Sequence, residues 1–584
     1  MKESTCFVDL LSTPFSRRGS YLAFANKNDG DVQFGKNALY LATAKGGGTG
    51  MANLNSQNSC RQVALELLWN GRKLPTVIST TPTEVILESE KGSARFCLAE
   101  KALAMGRCED GLSLRIGLPQ TFFGGAPLDL PNGTWKFGFA DDNGLLIPKR
   151  GTVKYLPGSG FIMQPDAEGV WEFAIEEIDI DPGTRPLDSY PNYTDAVKAV
   201  DAEFEAFCNS LYPALPAEFE PMRKQALWTT WTLMVDPDGV STYQHTMVKM
   251  MRIIFESAFG WQQAMQAIFL STNPRLAWDI LQSCFDHQDV NGRIADAISH
   301  KSGMGSSMKP PFQGVALDWL LDHCDLSGIS QAEKEFVYDR MAKWTEFFFR
   351  FRDLDGDGVW ENQGAIETGW EDAAYFYVGF PLASPDMNAY TVRMMDALAK
   401  LGKILGKSEE ECAAWTKRAD VLTEKIIQKF WNGERWVVVN ARTGAVGDSM
   451  SLPMFAALIL GKRLPQDIID KTADFLMKAF ETPFGFASES LDSPYFNHGF
   501  TAGSVIVPAQ LITCLALEAA GKPELAKEMG LRYARTLRDN GMFHIHNALD
   551  GKGERGLVAF GEKQLFWSSW ASSCYLFFAD RYGK

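Results

Sequence analysis

A chain of 584 residues is too long for one compact core, so two or more domains are expected. Its formal net charge of −15 argues against nucleic acid and anionic membranes as partners, and suits an enzyme of neutral or polar small molecules. There is no apolar run of transmembrane or signal-peptide length, and the ten cysteines include no C-x-x-C pair. The expectation is therefore a cytoplasmic protein with no zinc site and no disulfide framework.

Residues 1–190 read as strands. "RQVALELLWNG", "PTEVILES", "ARFCLAE", "LSLRIGL", "WKFGFAD" and "GVWEFAIEEI" are short, alternate in polarity and are separated by Gly, Pro and Asn turns, which predicts an antiparallel β-sandwich. The pattern changes at Asn192, so 191–215 is expected as a helical linker. Over 216–584, apolar stripes of period 3.6 recur in "RLAWDILQSCFDH", "QAEKEFVYDRMAKWTEFFFRF", "EEECAAWTKRADVLTEKIIQKFW", "IIDKTADFLMKAF" and "KPELAKEMGLRYARTL". Many antiparallel helices with polar, aromatic-rich loops on alternate connections predict an all-α toroid whose loops gather at one end. No short-period repeat marks a solenoid.

"IETGWEDAAYF" (Ile366–Phe376) crowds Glu367, Glu371 and Asp372 around Trp370, and no basic residue occurs from Val359 to Val392. Glycoside cleavage needs a protonated carboxyl at the leaving oxygen and a second carboxylate for water or the anomeric carbon. Burial of Glu371 against Trp370 would favour its proton-donating form, with Asp372 as the alternative acid and Glu367 a like charge at i−4. The alternative is a helix beginning near Asp372 that these acids cap. Upstream, Asp353, Asp355 and Asp357 in "DLDGDGVWE" have the spacing of the front half of a calcium loop. Gly364 holds the position of the usual closing Glu, so an ordinary turn is the competing assignment. His544 and His546, two of only seven histidines, share one face of an extended segment, either as a surface strand pair or as groups that bind hydroxyls or move protons.

The second half resembles the (α/α)6-barrel glycosidases of the trehalase and processing α-glucosidase families, glycoside hydrolase families 37 and 63. "ETGWED" is similar to their E-S-G-[WLM]-D signature, with Glu371 at the general acid. "FESAFGW" looks like their W-D-S-x-F segment, which implies sugar contacts for Glu256 and Trp261. "MKPPFQGVALDWL" is similar to their T-Q-P-P segment and adds Lys309 and Gln313. "SPDMNAY" begins a helix as theirs does, and "FWSSWASSCYLFF" resembles their closing helix and adds Trp567. Glu367, Trp370, Asp372, His544 and His546 complete the expected substrate-binding set. The order of the five segments implies the barrel over about 220–584, an N-terminal β-domain, a small carbohydrate substrate and an inverting α-glucosidase-like reaction.

The chain also departs from that pattern. Glu256 and Glu371 stand where the family has Asp, and Tyr375 where it often has Arg. The family's general base is a Glu shortly before the last helix, where this chain has His544 and His546. Glu562 is the preferred carboxylate for that role and Asp550 a weaker one. Histidines at this position suit a different class, a sugar isomerase or epimerase on the same barrel, and the missing Glu suits a barrel that binds sugar without turnover. No cofactor is expected beyond calcium at Asp353, Asp355 and Asp357. The oligomeric state is not encoded in any motif.

Overall fold

The computed structural model describes residues 6–27, 38–43, 62–118, 126–139, 142–178, 185–252, 257–300, 303, 305, 307–497, 501–554 and 566–584. The strands make two antiparallel sheets. One runs Leu22–Lys27, Ala38–Thr43, Gln62–Trp69, Ser113–Gly117, Gly160–Gln164, Thr152–Leu156. The other runs Leu128–Asp129, Trp135–Phe139, Asp142–Arg150, Trp171–Ile178, Leu103–Cys108, Gly92–Glu100, Val85–Ser89, Val77–Thr80. Their inner faces meet in one apolar layer, with Phe24 of the first sheet 5.8 Å from Phe96 of the second.

Among the described residues, twelve α-helices follow. They are α1 (Tyr193–Ser210), α2 (Glu220–Leu233), α3 (Gly260–Phe269), α4 (Pro274–Ser283), α5 (Gln313–His323), α6 (Gln331–Phe351), α7 (Pro385–Ile404), α8 (Glu409–Phe430), α9 (Gln466–Phe480), α10 (Val507–Ala519), α11 (Pro523–Asn540) and α12 (Ser569–Gly583). A 3-10 helix, Leu452–Arg463, stands between α8 and α9. Six elements form a closed inner ring: α3 packs on α5, α5 on α7, α7 on Leu452–Arg463, that helix on α10, α10 on α12, and α12 back on α3. The remaining helices pack outside it, and α2 covers α12, so the first and last helices of the barrel meet.

The two rings differ in composition for a physical reason. An inner helix touches protein on every side and can be apolar all round, as in α10, where Val507–Leu517 is entirely buried. An outer helix keeps one wet face, as in α11, where Lys527, Glu528 and Arg532 alternate with buried Met529 and Tyr533.

Connections at one end of the ring are short, at 270–273, 324–330, 405–408, 464–465 and 520–522. Those at the other end are long, at 234–259, 284–312, 352–384, 431–451, 481–506 and 541–568. The long loops are stitched by short ladders, including Ala258–Phe259 with Ala297–Ile298 and Val505–Ile506 with Ile545–His546. At the domain junction Trp567 donates its main-chain N–H to Ser12 O (2.8 Å), and Trp228 Nε1 donates to Pro82 O (2.9 Å).

Candidate active site

The ETGWED segment lies in the long loop 352–384 and does not begin an α-helix. It forms two 3-10 turns, Ala365–Thr368 and Ala374–Val378, joined through Gly369. Gly369 has φ +70°, and a Cβ there would sit 2.4 Å from the Trp261 indole. That close approach turns Trp370 inward. Trp370 is fully buried, edge-on to Trp261 at 6.4 Å, and Trp261 meets Trp570 at 5.2 Å. The two tryptophans thus form a packed floor under the loop, with Trp370 Nε1 left without a hydrogen-bonding partner among the described residues.

The three carboxylates of the segment are kept apart. Glu367 is buried and held by both ends of the Arg352 guanidinium, at 2.7 and 3.0 Å, with Gln363 N–H at 2.8 Å. This ion pair engages both oxygens of Glu367. Glu371 is different. Its Oε1 accepts from the buried Lys309 ammonium at 2.7 Å, and Oε2 has no hydrogen-bonding partner among the described residues. Its side chain keeps 33% exposure, so the dry packing against Trp370 expected from the sequence does not occur. Asp372 is exposed and accepts from Thr501 N–H at 2.7 Å, tying this loop to 481–506.

Lys309 reaches the site from the loop before α5. Its ammonium also donates to Ile366 O at 2.7 Å and lies 3.9 Å from Asp296 Oδ1. Asp296 is fully buried beside Ser307, and its carbonyl holds the first N–H of α3. Burial raises its carboxyl to about 6, opposed by Lys309 and aided by the charge of Glu371. A second buried carboxylate, Asp386 at the start of α7, is raised to about 6 by burial and lies close enough to act on Tyr375. Sequence reasoning missed both acids. Asp386 reads as an ordinary first-turn acid after Ser384-Pro385, and the one signal at Asp296 is an Asp inside the apolar "IADAI".

The other expected site residues are held by packing. Gln313 donates to Gly260 O (3.0 Å) and accepts from Trp344 Nε1 (3.2 Å), which locks α5 to α3 and α6 and uses both ends of its amide. Trp567 is half-buried at the domain junction. His544 and His546 are not a surface pair. His544 stacks on Trp570 at 5.3 Å, and His546 is buried with Nε2 3.0 Å from Gly541 O. Burial pushes them down to about 3 and about 4, so both imidazoles are neutral near neutral pH. Buried this way, they pack the base of the loop. Asp550 is exposed, bonded within its own turn. Glu256 and Glu562 lie outside the described residues.

The acidic loop beside the site is closer-knit than the sequence indicated. Carboxylate oxygens of Asp353, Asp355, Asp357 and Glu361 all lie within 4.8 Å of one another. Glu361 is fully buried, and burial raises its carboxyl to about 7.

A closed ring of six helix hairpins, with carboxylates under its long loops, is an (α/α)6 barrel. The chain belongs to the family of the mannosylglycerate hydrolase MGH1-like glycoside hydrolase domain, whose profile matches residues 257–568. It is a glycoside hydrolase by that membership. Among solved structures, the family 63 mannosylglycerate hydrolase from Thermus thermophilus with Tris and D-glycerate is 14% identical. That match covers 61% of this chain and 99% of the other, with a TM-score of 0.52. A bacterial glucoamylase complexed with acarbose is 9% identical over 99% of this chain and 95% of the other, with a TM-score of 0.60. At these identities both likenesses speak to the fold, and the second extends it to the β-domain. No protein of curated function matches the sequence. Among the described residues no helix is long and apolar enough to cross a membrane.

Proposed function

We propose that the protein hydrolyses a small glucoside or oligosaccharide with inversion, with Glu371 as general acid. One observation carries this reading. Glu371 is anchored through Oε1 by a buried lysine, while Oε2, itself shielded from solvent, has no hydrogen-bonding partner among the described residues at the long-loop end. Oε2 is the oxygen that Lys309 leaves for a leaving-group oxygen. Lys309 already serves two carboxylates, which favours a neutral sugar over an anionic one such as the mannosylglycerate of the Thermus relative's name.

The second carboxylate of an inverting pair stands roughly 6.5–9.5 Å from the first, with room for water between. Glu562 remains our candidate for it, with Glu256 as a sugar contact. The isomerase alternative is the weaker one, because the family whose model the chain matches is one of glycoside hydrolases. A cytoplasmic setting fits the nine unpaired cysteines among the described residues.

The test is to incubate the protein with a panel of disaccharides and free sugars and follow anomeric protons by NMR. Release of a monosaccharide whose first-formed anomer is opposite to the bond cleaved supports the proposal. An interconverted free sugar with no bond cleavage overturns it.

A further inference from the structure

We propose that Tyr377 and Tyr495 form a stacking platform for the outer units of a neutral oligosaccharide whose terminal unit enters the barrel beside Glu371. The two side chains are 69% and 47% exposed and belong to different long loops, 352–384 and 481–506. Their ring centroids stand 4.7 Å apart with the planes inclined at 56°. Inclined and exposed in this way, each ring keeps apolar surface in water. A tyrosine offers an apolar face and a polar tip, which match the C–H face and the hydroxyls of a sugar.

Single exposed aromatics are common and need no ligand, so position decides. Tyr377 lies in the 3-10 turn Ala374–Val378, directly after the segment that carries Glu371. The loop of Tyr495 is tied to that same segment through Thr501, whose N–H donates to Asp372 at 2.7 Å. Ile366 and Leu491, on the same two loops, are exposed as well. Apolar side chains left in water by two joined loops beside a cleft mark a surface that a ligand covers.

The platform is braced from below. The turn of Tyr495 is fastened by Glu489, a fully buried carboxylate that accepts from Ser451 Oγ and Ser493 Oγ, each at 2.5 Å. Ser493 Oγ in turn accepts from Tyr495 N–H at 3.2 Å, and Ser490 N–H donates to Met450 O at 2.9 Å. On the other side, the buried Tyr375 ring packs on Phe376 at 4.2 Å, and Asn440 Nδ2 donates to Val378 O at 3.0 Å. Asn440, Met450 and Ser451 all belong to loop 431–451, so one loop steadies both tyrosines. Rings held in place before binding lose little freedom when a sugar stacks on them.

Charge narrows the class of chain. Each of the two loops carries an exposed acid near its tyrosine, Asp372 on one and Asp492 on the other. Their negative field disfavours a polyanionic saccharide and leaves a neutral one. The platform thus favours a chain of three or more units over a disaccharide. This inference rests on the carbohydrate reading of the site and on no assignment of its acid or base.

The test is calorimetric titration with maltose, maltotriose and maltohexaose, and with isomalto- and manno-oligosaccharides of the same lengths. Affinity is read as Kd, or as KM where the chain is cut, and the recovered sugars are checked by NMR. Chains bound and never cut would sink the hydrolase reading alone, whereas chains cut with no gain from length would sink the platform alone. In at least one series the hexasaccharide should bind about tenfold or more tighter than the disaccharide. Tyr377→Ala/Tyr495→Ala, at exposed positions, should keep the native circular dichroism and lose that gain. Tyr377→Phe/Tyr495→Phe keeps both ring faces and should retain it. No gain with length in any series, a gain kept by the alanine pair, or a gain lost by the phenylalanine pair would each overturn the proposal.

Discussion

Asp353–Glu361 and Glu367–Asp372 are neighbouring acidic stretches that the fold treats in opposite ways. In the first the carboxylates turn toward one another around a buried oxygen. In the second each is drawn to its own partner: Glu367 to Arg352, Glu371 to Lys309, Asp372 to Thr501. Converging carboxylates share one counter-charge, here the Lys429 ammonium beside Asp355 and Asp357. Separated ones can each be neutralised from elsewhere and still leave an oxygen free for chemistry. The absence of basic residues around ETGWED therefore says little about its charge balance, because the counter-charges arrive from other loops.

The comparison is broken most directly at Arg352. Removing one member of a buried ion pair strands the other, so Arg352→Met should destabilise the protein by about 3–5 kcal/mol. Asp355→Asn, measured without calcium, should change stability by no more than about 0.5 kcal/mol. Urea unfolding of the two variants checks this. Equal losses would mean that the two stretches are not handled differently.

A smaller effect should appear at Asp296. Its carboxyl is raised from 3.8 to about 6, so the folded state binds the extra proton between those values. Stability from this group therefore falls as pH rises from about 4 to about 6 and stays lost above. Asp296→Asn should remove that slope and gain up to about 3 kcal/mol relative to wild type at pH 7 over pH 4. His544 and His546, depressed below 6.5, act with the opposite sign and lose stability as pH falls toward about 4. A flat wild-type profile is thus compatible with a sloped variant, and the difference between the two is the quantity to measure. An unchanged difference across that window would contradict the burial of Asp296.

The mildest effect should come from Asp372→Asn. It weakens hydrogen bonds to Thr501 at the surface, worth about 1 kcal/mol, and activity should stay within a few-fold of wild type. A collapse of turnover would move the acid from Glu371 to Asp372.

The fold was legible in the sequence to an uneven depth. Outer helices such as α8 and α11 announced themselves by period, because only a helix with one wet face must alternate. The inner helix α10 and the segment 452–463 escaped that test, since burial on all sides erases the stripe. At the site, ETGWED could be found because it is local. Lys309's pairing with Glu371, the burial of Asp296 and the locking of Gln313 depend on which loops the ring brings together, and no window of sequence contains them. His544 and His546 show the same limit: alternation placed them on one face and could not say that the face was buried.

The central claim is that Glu371 donates the proton to the leaving group. The direct measurement is turnover of Glu371→Gln on the best substrate from the disaccharide panel, beside its circular dichroism and its affinity for the product sugar. Removal of a general acid costs about 10²-fold or more with a poor leaving group. The account predicts such a loss with fold and sugar affinity retained, and turnover near the wild-type value would contradict it.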